Sequence, residues 1–168
     1  MQQITIYKIF TWFLLPFAVL FGLFALIMFF AGLSNPAILL PVFIMAGFCL
    51  YSITSLIFLT KGLQKNEPCR ASLKDWIKVN GYVSVSMALM MLFNSVSLIF
   101  SKQANIKILA EQLLANPAMK TQGLTPALVI QLLLGMAYSM LILSVVLLIH
   151  LTIGFRLLKR YDALFIKN

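Results

Sequence analysis

Acidic residues are scarce in this sequence: four Asp and Glu stand against 13 Lys and Arg in 168 residues. The four are Glu67, Asp75, Glu111 and Asp162, and none falls inside a long apolar run. Charge of either sign is low, at 10% of residues, where a soluble domain carries about 25%. There is one histidine, His150, and the two cysteines, Cys49 and Cys69, do not form a Cys-x-x-Cys pair. Each shortage closes a class of function. Without paired cysteines there is no dithiol redox couple and no zinc ribbon, so both thiols read as reduced and inert. A single histidine cannot supply two axial ligands to haem within one chain. A phosphate-binding loop, a Gly-x-Ser-x-Gly elbow and a His-Glu-x-x-His helix are also missing. The sequence therefore predicts no metal site, no cofactor and no enzyme activity.

What is abundant is apolar. Hydrophobic residues make up 62% of the chain and the mean hydropathy is +1.01. A soluble domain of this size cannot cover so much apolar surface with polar side chains, which leaves lipid as the solvent. The net charge of +9 does not read as a nucleic-acid footprint. The basic residues sit in short segments flanking apolar runs, where a membrane protein places its topology signals.

Four runs are long enough to cross a hydrocarbon core of about 30 Å. They cover roughly 9–33, 37–60, 76–100 and 126–153. Pro16 should kink the first and Pro41 should bend the second. The first run is too long for a signal peptide, and only Gly32-Leu33-Ser34, with Pro36 just beyond, resembles a cleavage triplet. Asn35 before Pro36 and Thr125 before Pro126 each read as an N-cap followed by proline at the first helical position. Ser72 and Asp75 resemble a capping box ahead of the third span. Between the last two spans, Ile106, Leu109, Ala110, Leu113 and Leu114 recur at helical spacing. They predict an amphipathic interfacial helix over about 104–116, ended by Pro117. Residues 155–168 form a basic amphipathic tail, expected to extend the fourth helix and then lie along the inner leaflet.

The fold class is thus all-α: one polytopic integral membrane domain over residues 1–168, an up-down bundle of four transmembrane helices with short loops. Four spans put both termini on one side. That side receives ten basic residues, among them Lys8, Lys61, Arg70, Lys74 and Arg160, and the other side only Lys102, Lys107 and Lys120. The positive-inside rule places both termini in the cytoplasm. Trp12 and Trp76 begin their spans on that face as interfacial anchors. A compact chain without targeting segments fits a bacterial inner membrane, with anionic inner-leaflet lipids as neighbours.

His150 is the one ionisable residue within a span, and such residues are functional candidates by default. Small four-span exporters that rely on a membrane-embedded glutamate, and four-helix oxidases that rely on paired cysteines, are excluded by what is missing. Gln131, Gly135 and Ser139 are spaced by four, and His150 falls near the azimuth of Ser139. That small and polar face should point into the bundle. Ser84, Ala88 and Ser95 form a stripe on the third span beside Asn94, and Ala18-x-x-x-Gly22 lies on the first. Asn94, Gln131, Ser139 and His150 are therefore the candidate interior polar residues, with Asn94 and Gln131 as possible bonding partners. The composition points first to an accessory or scaffold subunit of a membrane complex, with a protein partner or a second copy of itself. The alternative is an oligomeric small-solute transporter or channel lined by those four residues. A lipid-modifying enzyme using His150 with Asp75 or Asp162 comes third, because no spacing joins those groups.

Overall fold

The structure is a computed structural model and describes residues 2–101, 103–115 and 125–166. Among the described residues there are five α-helices: α1 (Gln2–Ser34), α2 (Leu39–Ile57), α3 (Ala71–Ile99), α4 (Gln103–Ala115) and α5 (Pro126–Arg160). Four stretches are long and apolar enough to cross a membrane: α1, α2 with its flanking turns, α3 and α5. The chain is all-α, apart from one two-residue pairing of strands. Lys102, Pro117, Lys120 and Lys167, which carry parts of the expected charge asymmetry and the expected stop of α4, lie outside the described residues.

The turn between α1 and α2 forms as its residues dictate. Asn35 takes an extended conformation and its side-chain oxygen accepts from the Ala37 N–H at 3.2 Å, with Pro36 opening a short 3-10 turn, Pro36–Ile38. Pro41 then sits in the first turn of α2, where a missing N–H costs no helical bond. Pro16 is retained inside α1. The start of α5 is capped by Thr125, whose hydroxyl accepts from the Leu128 N–H at 3.4 Å. α3 begins at Ala71, one residue before the expected cap at Ser72. Ser72 and Asp75 therefore lie within it, not at a capping box, because the strand β1 (Cys69–Arg70) leads directly into the helix.

β1 pairs in parallel with β2 (Phe165–Ile166). The C-terminal segment thus folds back onto the strand that precedes α3. Leu157 and Leu158 are buried, Phe165 stacks on Phe58 with ring centres 5.5 Å apart, and Lys74 bonds to Asp162. At its C-terminal end α2 widens into a π-helical segment, Phe58–Gln64. Asn66, at φ 56°, then turns the chain toward β1; asparagine tolerates this left-handed conformation.

Where the sequence reads as one domain, the chain divides into two compact units, one formed by 1–88 and 146–168 and the other by 89–145. In the first unit, burial follows a repeat of three and four residues. On α1 the buried positions are Tyr7, Thr11, Leu14, Ala18, Ala25 and Gly32. Thr11, Ala18, Ala25 and Gly32 are each seven apart, and all are small. α3 repeats this with Ile77, Asn80, Ser84, Met87 and Ala88. A seven-residue repeat keeps one narrow seam facing a neighbour, and small side chains there let backbones approach. The remaining faces stay exposed, with Leu23, Phe24, Ile27 and Phe30 among them on α1. In the second unit, α4 buries Ile106 and Ala110 and exposes Asn105, Lys107 and Glu111.

α2 and α3 approach closely at Gly47, where an added Cβ would fall 2.6 Å from Val83 Cγ1. Valine is stiff at χ1 and cannot swing aside. Gly47→Val is expected to lower stability by about 1–3 kcal/mol, and Val83→Ala in the same chain to recover part of it. Unfolding by steric trapping in bicelles measures both.

Candidate functional site

Four helices in a membrane must satisfy each buried polar group internally. Most of the buried hydroxyls here do so within their own helix. Ser52 donates to Phe48 O, Ser84 to Asn80 O and Ser95 to Met91 O. Such bonds to the preceding turn let a hydroxyl sit in a seam without needing a partner helix.

The bonds that cross between spanning helices converge on His150. It is 1% exposed and lies on α5 within the first unit. Its Nε2 is 2.9 Å from the Thr11 hydroxyl of α1, and its Nδ1 is 2.9 Å from the Tyr51 hydroxyl of α2. The Tyr7 ring stacks on the imidazole at 4.4 Å and 6°, while Tyr51 meets it edge-on at 5.5 Å. Three spans are thereby joined at one side chain.

The order of donors assigns the tautomer. Thr11 has one hydroxyl hydrogen and donates it to Tyr7 O at 2.8 Å. Toward His150 it can therefore only accept, so Nε2 carries the ring hydrogen. A neutral ring then presents a bare Nδ1, which accepts from the Tyr51 O–H. A chain of bonds runs from Tyr51 through the imidazole and Thr11 to the Tyr7 carbonyl. Both ring nitrogens are engaged and no face of the ring is open to a substrate.

Gly154, one turn beyond His150, makes the cluster possible. A Cβ there would sit 3.2 Å from the Tyr51 hydroxyl and 3.2 Å from Tyr7 Cε2. Beside it, the buried Ser55 hydroxyl interacts with the hydroxyls of both Tyr7 and Tyr51, although the Tyr7–Ser55 approach falls outside strict hydrogen-bonding geometry.

The other candidate residues fall elsewhere. Asn94, Gln131 and Ser139 are exposed, contrary to the expectation that they point inward with His150. They belong to the second unit, which holds 89–145. There the buried positions of α5 are Val129, Ala137, Leu143 and Ser144, and Ser139 stands about 200° around the helix from Ala137. Near His150, by contrast, Leu147, Leu151, Gly154, Leu157 and Leu158 are buried as well, because α1, α2 and α3 all cover α5. One azimuth is thus buried at His150 and exposed at Ser139. Ser139 donates to Met136 O at 2.9 Å; no bond joins Asn94 to Gln131. The stripe Ser84, Ala88 and Ser95 is buried. Tyr7, Thr11 and Tyr51 were not singled out from the sequence, although Thr11 belongs to the seven-residue repeat of small residues on α1.

Tyr51→Phe strips Nδ1 of its donor in a buried site and is expected to cost about 1–3 kcal/mol. Tyr7→Phe removes a hydroxyl whose interaction with Ser55 falls outside strict hydrogen-bonding geometry, and is expected to cost less than Tyr51→Phe, within about 1 kcal/mol of the parent. In ¹⁵N spectra at neutral pH, His150 should show a protonated Nε2 and an unprotonated Nδ1, and the reverse pattern would contradict the assignment. The chain matches no family model, no curated protein and no solved structure, which leaves the side chains themselves as the ground for its function.

Proposed function

We propose that this protein is an accessory or scaffold subunit that assembles laterally with another membrane protein through the second unit. One observation carries this reading. Seven glycines lie among the described residues, and for six of them an added Cβ would meet a neighbouring side chain within 4 Å. At Gly135 it would meet nothing. Gly135 is flanked at four-residue spacing by Gln131 and Ser139, both exposed. A small residue between polar ones on an outward helix face is the pattern by which spanning helices approach and bond. Exposed amides at Gln131 and Asn94 add to it, since an amide left unpaired in hydrocarbon costs several kcal/mol.

The reading includes no enzymatic role: the one histidine is buried with both ring nitrogens occupied. It takes the membrane to be a bacterial cytoplasmic membrane with both termini inside. Support comes from the excess of Lys and Arg on the side of the 61–78 segment and the tail.

A photoreactive residue at Ile142 tests the assembly. Ile142 is exposed and lies one seven-residue repeat beyond Gly135 on the same face. In native membranes it should yield a discrete protein adduct, and Gly135→Leu should abolish it. An adduct of twice the chain mass identifies a second copy; any other mass identifies a different subunit. The same probe at Ile27, on the exposed face of α1, should react with lipid. Lipid adducts alone at both positions would refute the proposal.

A further inference from the structure

The basic end of the first unit holds a cavity of about 420 Å³, whose lining includes Ile57, Lys61, Arg70, Ser72, Leu73 and Trp76. Its walls come from three pieces of chain brought together by the local fold. Lys61 stands on the π-helical segment, and π-turns are rare and frequently mark functional sites. Arg70 stands on β1, where alternation buries Cys69 and turns Arg70 outward. The Cys69 sulfur would lie 3.3 Å from a Cβ on Gly62, so the strand is seated directly against the π segment. Pairing of β1 with β2 holds Arg70 in register. Ser72 and Leu73 are in the first turn of α3, whose N–H groups have no partner within the helix.

The charged side chains that line this cavity, Lys61 and Arg70, are of one sign, while Glu67 lies beside it, close enough to act on Cys69. No acidic residue lines it. Lys65 pairs with Glu67, and Lys74 with Asp162. Among the described residues neither Lys61 nor Arg70 has a carboxylate within ion-pair distance. Two unpaired cations, a serine hydroxyl and a helix N-terminus converge on one space, as an oxyanion with several acceptor oxygens requires.

The surroundings say where that anion comes from. Ile57 is partly exposed at the cavity wall, and Ile53 and Leu50, four and seven residues before it on α2, are exposed on the same face. This gives an apolar track running from the cations into the spanning part of α2. Trp76, also exposed, stands at the rim, where tryptophan marks the boundary between headgroups and hydrocarbon. A phosphate group in the cavity would be continuous with an acyl chain along Leu50, Ile53 and Ile57.

We propose that this cavity binds the phosphate headgroup of an anionic membrane phospholipid, with one acyl chain along the exposed face of α2. A free phosphate would use the same cations but not the apolar track, so the two are separable.

The test uses the full chain in lipid vesicles, with Trp12→Phe leaving Trp76 as the only tryptophan. Brominated acyl chains quench tryptophan on contact. Brominated phosphatidylglycerol, diluted in unlabelled phosphatidylcholine, should quench Trp76 far beyond its bulk share, whereas brominated phosphatidylcholine should quench in proportion. Lys61→Gln and Arg70→Gln should each lower the preference about fivefold. Lys65→Gln, outside the cavity, should leave it unchanged. Equal quenching by the two lipids in the parent chain would overturn the proposal without reference to any variant. So would a preference that survives loss of both cations. Glycerol phosphate shifting Trp76 emission in purely neutral vesicles, with no lipid preference, would assign the cavity to a soluble anion instead.

Discussion

Lipid tails are as apolar as leucine, so burying leucine against leucine gains a membrane helix little over leaving it in the bilayer. Everything in this chain that brings one span against another has to come from close packing or from polar bonds. The seven-residue repeat of small residues on α1, Thr11, Ala18, Ala25 and Gly32, answers the first requirement. Val83 fitting against Gly47 and Phe155 against Gly81 answer it again. His150 answers the second, by holding Thr11 of α1 and Tyr51 of α2 at its two ring nitrogens.

The same constraint explains where polar groups can remain. Most serine and threonine hydroxyls in the seams close on their own helices, as Ser52, Ser84 and Ser95 do, and so are compatible with any neighbour. An imidazole has two nitrogens that must both be met, and it is found where α1, α2 and α3 all cover α5. In the second unit the covered stripe of α5 is narrow, and the amides of Asn94 and Gln131 stay outside it. Amides outward, beside a glycine with open space above it, are unfinished packing of the kind a further helix completes.

The coarse fold was legible from the amino acids because long apolar runs and their punctuation are local signals. Asn35-Pro36 and Thr125-Pro126 mark the starts that the structure adopts, since capping depends on neighbours two or three residues away. Ser72 and Asp75 mark the start of α3 to within a residue or two, but as part of its first turns and not as a capping box, because β1 leads straight into the helix. The return of Phe165 and Ile166 to Cys69 and Arg70 depends on tertiary pairing that no local pattern announces. Among site residues, His150 stood out as the lone histidine of the chain, set within an apolar run. Asn94, Gln131 and Ser139 did not share its environment, because polarity was equated with the interior in spans that are hydrophobic all round. The better guide was size: residues seven apart that are small, such as Thr11 and Ala18, trace the seam that leads to the histidine.

Extraction of native membranes directly into polymer-bounded lipid discs, without detergent, keeps lateral neighbours in place. The protein mass of each disc containing this chain then measures assembly most directly. A lateral subunit predicts a uniform population holding more protein than one 18.9 kDa chain. Discs holding a single copy of the chain and no other protein would contradict it.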